Sequence, residues 1–272
     1  MLKDRYIALP LKEEQSMLLN VVKYIVEVCE REDIQYFLGY GSLLGAVRHH
    51  GFIPWDDDID LLMTRENYDK FNSVIHSYPK EGYFFQNYIT DPNYPVPEIS
   101  RICIDNTFKW PEGYENAPFH TGIYVDIFPL EYGENSKEEI LTKMKKCAYY
   151  HKLMYVKYGP FRISKHPSFM VDELKGKITP IDTLQKKMLS VIDYHEGEVD
   201  RGVLCNYGAA FMGGEKLIYD ANWFSDSIRM EFSGMMLPCP IGYEGFLINY
   251  YGKNYMTPLK TKSKRHIAYV IK

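Results

Sequence analysis

Four aspartates, Asp56, Asp57, Asp58 and Asp60, fall within five positions just ahead of the apolar run Leu61-Leu62-Met63. Alternate side chains of a strand share a face, so Asp58 and Asp60 point one way while Ile59 and Leu61 turn to the core. Two carboxylates on one face raise each other's pKa unless a cation lies between them. Oxygen ligands of this kind suit magnesium or manganese, with substrate phosphate completing the shell. An exposed acidic turn or an Asp-rich helix cap would use the same residues, but neither calls for apolar flanks.

Upstream, Gly39, Gly41 and Gly45 punctuate a strand-to-helix turn with Ser42 at its middle. Glycine lets the backbone approach a phosphate, and a following helix presents unpaired N–H groups to anions. Alone, such glycines are turn residues; their place just before the acidic strand gives them weight. A third carboxylate sits in Tyr124-Val125-Asp126-Ile127-Phe128. A charge inside an apolar strand is costly unless it is paired or bound to metal. Taken by itself, Asp126 reads equally well as a hydrogen-bonded strand-end residue. If its strand neighbours that of Asp58 and Asp60, three acids converge. With a divalent ion and the glycine–serine turn they make a phosphoryl- or nucleotidyl-transfer site.

The elements that must position these residues are legible from periodicity. Met17, Leu18, Val21, Val22, Ile25, Val28 and Cys29 predict an amphipathic helix over 12–32. Residues 36–38 and 59–63 predict strands, 66–77 a helix, 83–88, 99–104 and 123–128 further strands, and 91–97 a proline-rich loop. Helical spacing returns at about 137–157 and 181–196; 203–207 is a short apolar run, and 246–251 belongs to a final helix. The expected fold class is α+β in a single domain over 1–272, with a sheet core at about 33–130 and a helical elaboration over about 131–272.

Composition narrows the partners. The 272 residues are 46% hydrophobic and 25% charged, which excludes long disorder, and a net charge of −4 offers no basic field for nucleic acid. The basic stretch Lys253, Lys260, Lys262, Lys264, Arg265 and Lys272 reads first as a solvated end and second as an anionic contact. Tyrosine is abundant, at 24 residues, which suits a groove for sugars or a cationic ligand, or an aromatic core rim. Five scattered cysteines form neither a disulfide framework nor a zinc pattern; Cys29 and Cys103 read as small core residues. Met1-Leu2-Lys3-Asp4-Arg5 lacks the apolar run of a signal peptide, and no stretch reaches the ~20 apolar residues of a membrane span. The expectation is a cytoplasmic protein, with peripheral contact at the inner face of the membrane left open.

The stretch from Tyr40-Gly41-Ser42-Leu43-Leu44-Gly45 through Arg48 and Trp55 to Asp56-Asp57-Asp58-Ile59-Asp60 resembles the LicD family of phosphocholine transferases, which includes fukutin-related proteins. The resemblance continues in Val125-Asp126-Ile127-Phe128-Pro129-Leu130 and in Tyr250-Tyr251-Gly252-Lys253, and spans about 12–266. More distantly, Gly41-Ser42, Asp58-Ile59-Asp60 and Asp126 are similar to the nucleotidyltransferase superfamily related to DNA polymerase beta. One departure is Phe232-Ser233-Gly234, where family members often carry Phe-Glu-Gly.

The resemblance implies a nucleotidyltransferase-like mixed sheet flanked by helices. It also implies transfer of phosphocholine from CDP-choline, or of another alcohol from its CDP donor, to a sugar hydroxyl. The acceptor would be a glycan precursor of teichoic acid or lipopolysaccharide type, free or lipid-linked, and CMP would leave. Asp58, Asp60 and Asp126 would hold one or two Mg²⁺ or Mn²⁺ ions, with Asp126 a ligand or a base. Gly41 and Ser42 would hold phosphate, and Arg48 and Arg101 would clamp it, Arg101 being equally suited to neutralising the acids. Trp55 and Tyr40 would face a choline ammonium, although core packing is their plainer role, and His266 would return to the phosphates. Rival expectations are phosphoribitol transfer, nucleotidyl transfer to a small molecule, and a glycan- or nucleotide-binding protein without activity.

Overall fold

The structure is a computed structural model that describes residues 6–111, 113–134, 136–160, 167–193, 200–258 and 267–271. Strand β1 (Tyr6–Ala8) leads through Pro10 into helix α1 (Leu11–Arg31). Leu18, Val21, Val22, Ile25, Val28 and Cys29 form its buried stripe, each at 2% exposure or less, as the spacing predicts. Next come β2 (Phe37–Leu38), α2 (Tyr40–His49), β3 (Asp60–Thr64), α3 (Arg65–Val74), β4 (Tyr83–Gln86), β5 (Ser100–Ile104), β6 (Thr107–Phe108) and β7 (Tyr124–Gly133). The second half carries α4 (Lys137–Tyr158), α5 (Pro167–Ile178), α6 (Ile181–Asp193), β8 (Asp200–Cys205), β9 (Ile218–Asp220), β10 (Ser227–Phe232), β11 (Met235–Pro240), α7 (Tyr243–Tyr251) and β12 (Tyr269–Ile271).

Seven strands make one mixed sheet in the order β2-β3-β7-β5-β4, with β8 joined to β7 and β9 to β8. Among the described residues only β3 and β7 pair in parallel. Parallel neighbours need a crossover, and here it is long, passing through α3, β4, β5 and β6. α1 and α3 pack against β7. Leu61, Leu62, Met63, Val125, Ile127 and Leu130 have no exposed surface, the continuous apolar run of strands covered on both faces. Burial of each contributes roughly 1.5–3 kcal/mol before chain entropy is counted.

The expectation of a helical elaboration after residue 131 needs correction. α4 and α6 stand where the periodicity places them, although residues 194–196 lie outside the described set. Helix α5 and five strands, β8 to β12, also occur there, and β8 and β9 extend the sheet itself. The signal for β8 is weak because Asp200, Arg201 and Gly202 are exposed and only Leu204 and Cys205 are buried. The β10–β11 pair is a lone hairpin holding Pro238 and Pro240, which sequence patterns assign away from strands. Its turn, Ser233-Gly234, has φ of 52° and 82°, the left-handed pair that a tight hairpin needs. Among the described residues no helix is long and apolar enough to cross a membrane.

Candidate active site

The sheet register sets the centre of the site. Asp60, the first residue of β3, lies opposite Asp126 on β7, and Asp126 lies opposite Arg101 on β5. The three form one row across three strands, and residues directly opposite share a face. Backbone bonds pin this row. The Asp60 N–H donates to Ser42 Oγ at 3.0 Å, and the Gly39 N–H donates to the Asp60 carbonyl at 2.9 Å. The Asp126 N–H donates to the Ile59 carbonyl at 3.1 Å. Ser42 is therefore buried as an anchor for Asp60, at 1% exposure.

Ahead of β3, residues 56–59 lack regular structure, and carboxylate oxygens of Asp56, Asp57 and Asp58 all lie within 4.8 Å of one another. A β-carbon on Gly41 would stand 2.8 Å from Asp56 Oδ2, so glycine is what lets this carboxylate rest on the first turn of α2. The elbow into α2 is tight: Tyr40 holds φ at 41°, a left-handed conformation rare for an aromatic residue.

Crowding these acids shifts their protonation. Burial, then the charges of Asp58 and Asp57, push the Asp56 carboxyl up to about 8. Burial also raises Asp58, with the Lys109 ammonium opposing. Asp60 is held well above the usual carboxylate range by burial and by Asp58, Asp126 and Asp56. The unfolded chain ionises Asp56 near 3.8, whereas the folded chain keeps the proton to about 8. Stability present below about pH 4 is therefore lost as pH rises through the window from 4 to 8. Thermal melts of metal-free protein should show a melting temperature falling across that window, and Asp56→Asn should flatten the fall. A slope unchanged in Asp56→Asn would remove Asp56 as its source.

Two buried cations border the acids. Arg101 grips Asp126 through Nε to Oδ1 and through Nη2 to Oδ2, the latter at 3.4 Å. Its guanidinium lies 3.6 Å from the Tyr124 ring centre, with Tyr94 at 5.2 Å and Trp110 at 5.5 Å. Burial works to lower the Arg101 pKa, and Asp126 together with Tyr124, Tyr94 and Tyr155 more than offsets it, leaving it well above the usual value. In this structure Arg101 is paired with Asp126. Lys109, only 3% exposed, donates from Nζ to the Asp57 carbonyl and lies 3.0 Å from Glu14 Oε1.

The remaining expected residues are placed less centrally. Arg48 sits at the far end of α2, about 9 Å along the axis from Ser42, where Nη1 donates to the Tyr255 carbonyl and Nε to His49. The Tyr40 ring is in the core, its hydroxyl 3.2 Å from that of Tyr219 and accepting from Asn206 Nδ2. Trp55 is half-buried against the core. His266 lies outside the described residues. Sequence reasoning missed Lys109, Glu14 and Gln15, and also Tyr251 of α7, whose phenol is raised by burial, by Tyr250 and by the charges of Asp60, Asp56 and Asp58. The motif Tyr250-Tyr251-Gly252-Lys253 was the available signal for Tyr251.

The acids together offer only carboxylate oxygens, which suits a hard divalent cation such as Mg²⁺ or Mn²⁺ and not a thiolate- or imidazole-seeking metal. Residues 33–159, which hold all of these aspartates, match the family described as LicD/FKTN/FKRP, nucleotidyltransferase domain. Across 266 residues, covering 95% of this chain and 96% of the relative, the sequence is 29% identical to lipopolysaccharide cholinephosphotransferase LicD of Haemophilus influenzae. It is 50% identical over 44 residues to ribitol 5-phosphate transferase FKRP of Homo sapiens, which is 16% of this chain and 9% of that protein. An uncharacterized protein of Rickettsia typhi, RT0683, is 36% identical over 66 residues, or 24% of this chain and 21% of the relative.

Proposed function

We propose that this protein is a Mg²⁺- or Mn²⁺-dependent transferase that moves phosphocholine from CDP-choline to a hydroxyl of a cell-surface glycan precursor, releasing CMP. The observation that carries it is the in-register pair Asp60–Asp126 set beside the grouped carboxylates of Asp56–Asp58. End-to-end similarity to a cholinephosphotransferase supplies the choice of phosphocholine.

Asp58, Asp60 and Asp126 would hold the metal ion. When bound, it would supply the positive charge that neutralises the donor diphosphate and CMP as leaving group. Arg101 keeps Asp126 fixed opposite Asp60, and Ser42 keeps the Asp60 backbone in place. Asp56, grouped with Asp57 and Asp58, would take the proton of the acceptor hydroxyl in its ionised form, which a bound divalent cation favours. The ring of Tyr251, exposed at 39% on the acid side of α7, would lie against the donor. The reaction belongs on the cytoplasmic side, where CDP-activated donors are made and a lipid-linked acceptor at the inner membrane face is in reach. The short, strong similarity to a ribitol 5-phosphate transferase favours phosphoribitol as the second reading.

Thermal unfolding against CDP-choline, CDP-ribitol, CDP-ethanolamine, CTP and ATP, each with and without Mg²⁺, tests the donor without an acceptor. Ligand at a hundred times its dissociation constant stabilises by about 2.7 kcal/mol, a shift of several degrees for a chain of this size. A magnesium-dependent shift with CDP-choline is expected. A larger shift with CDP-ribitol would transfer the assignment to phosphoribitol, a shift confined to CTP or ATP would favour nucleotidyl transfer, and none at all would favour a binding protein.

A further inference from the structure

The loop that carries the acids lies outside the strand ladder, yet side chains from elsewhere hold two of its successive carbonyls. Gln15 Nε2, on α1, donates to the Asp56 carbonyl at 2.8 Å. Lys109 Nζ donates to the Asp57 carbonyl and makes ion pairs with Glu14 Oε1 at 3.0 Å and Asp57 Oδ1 at 4.0 Å. Glu14 has no exposed surface and Lys109 is 3% exposed. One turn of α1 therefore reaches both carbonyls, Gln15 directly and Glu14 through Lys109.

Once ionised to bind a cation, carboxylates grouped as tightly as those of Asp56, Asp57 and Asp58 repel, and a loop without ladder bonds would spread to relieve that repulsion. A buried Lys–Glu pair is a poor way to gain stability, since apolar residues of similar size often fill such a space equally well. Apolar residues could not, however, donate to a carbonyl. The placement of this pair and of Gln15 thus points to a positional role.

We propose that Glu14, Gln15 and Lys109 form a clamp that fixes the Asp56–Asp57 backbone and so keeps the acid group shaped for a divalent cation. The three are positioning residues; none needs to touch substrate. The proposal rests on the reading of the acids as a Mg²⁺ or Mn²⁺ site, and it adds that α1, which lies outside the matched family domain, is part of that site's construction.

The test is Mn²⁺ titration of the purified full chain, with free Mn²⁺ read by electron paramagnetic resonance. Gln15→Leu removes one donor from a half-buried position, and the paired change Glu14→Gln with Lys109→Met removes the other without leaving a lone buried charge. Leu18→Ala, on the same helix but facing the core, controls for a general loss of stability. Gln15→Leu and the paired variant should each bind Mn²⁺ ten- to a hundred-fold more weakly, while Leu18→Ala binds as the wild type does despite a lower melting temperature. Wild-type affinity in both clamp variants would overturn the clamp alone. Equal weakening in Leu18→Ala would reduce the effect to stability and overturn it as well. A wild-type chain that binds no Mn²⁺ would remove the metal reading, and the clamp would fall with it.

Discussion

Asp60→Asn should lower transfer on the order of a thousand-fold while leaving the metal-free fold at least as stable as the wild type. Asparagine is nearly isosteric, and the bonds that seat residue 60, to Ser42 Oγ and from the Gly39 N–H, are made by its backbone. What is lost is one negative charge at the start of β3, directly opposite Asp126. That charge is also the one the fold tolerates least, since burial and the neighbouring acids hold Asp60 well above the usual carboxylate range. The unfolded chain therefore ionises Asp60 more readily than the folded chain does, so the substitution removes a cost of folding. CMP release and a melting curve without metal, on the same preparation, check both halves. A variant retaining more than a tenth of wild-type release would take Asp60 out of the reaction. A melting temperature several degrees below wild type would show that its role is structural.

Arg101→Met should act the opposite way, through stability first. Methionine fills much of the space among Tyr94, Trp110 and Tyr124 but leaves Asp126 as a buried charge without its partner. Breaking a buried ion pair from one side costs about 3–5 kcal/mol, which for a chain of this size lowers the melting temperature by roughly 10 °C or more. The double variant Arg101→Met with Asp126→Asn removes both charges and should recover part of that loss. Additive effects in this cycle would show that the pair is not coupled and that Arg101 is held by its aromatic neighbours alone. A single variant as stable as the wild type would free Arg101 for the phosphate-clamping role that its chemistry also allows.

Much of the site was readable because its residues announce themselves locally. Asp58 and Asp60 stand out by alternation with Ile59 and Leu61, and Asp126 by being charged inside an apolar run. The condition that these two strands be neighbours is met in the register, Asp60 against Asp126. Ser42 was recognisable as part of the turn, but its hydroxyl engages the Asp60 N–H, a contact that spacing along the chain does not reveal. Arg101 was ambiguous for the same reason: its partner depends on β5 lying beside β7. Lys109 and Glu14 were invisible. One follows a two-residue strand and the other looks like any acid in the first turn of a helix, and only the packing of α1 brings them together. In the second half, β8 to β12 were missed because they are short and partly exposed, β8 and β11 being also interrupted by glycine or proline, so that neither period dominates.

The parallel pairing of β3 with β7 also dictates when the site comes into being. Asp60 and Asp126 stand at opposite ends of the crossover through α3, β4, β5 and β6, so their meeting is a non-local contact of high contact order. Closing so long a loop costs entropy before any pairing repays it. On the ribosome the aspartates of 56–60 emerge early, as a string of mutually repelling charges, while β7 is still unmade. A nascent chain at that stage has no place for a metal ion or a nucleotide. The row of acids and the central sheet are thus completed in the same folding event, and a chain that fails to seat β7 lacks the proposed site.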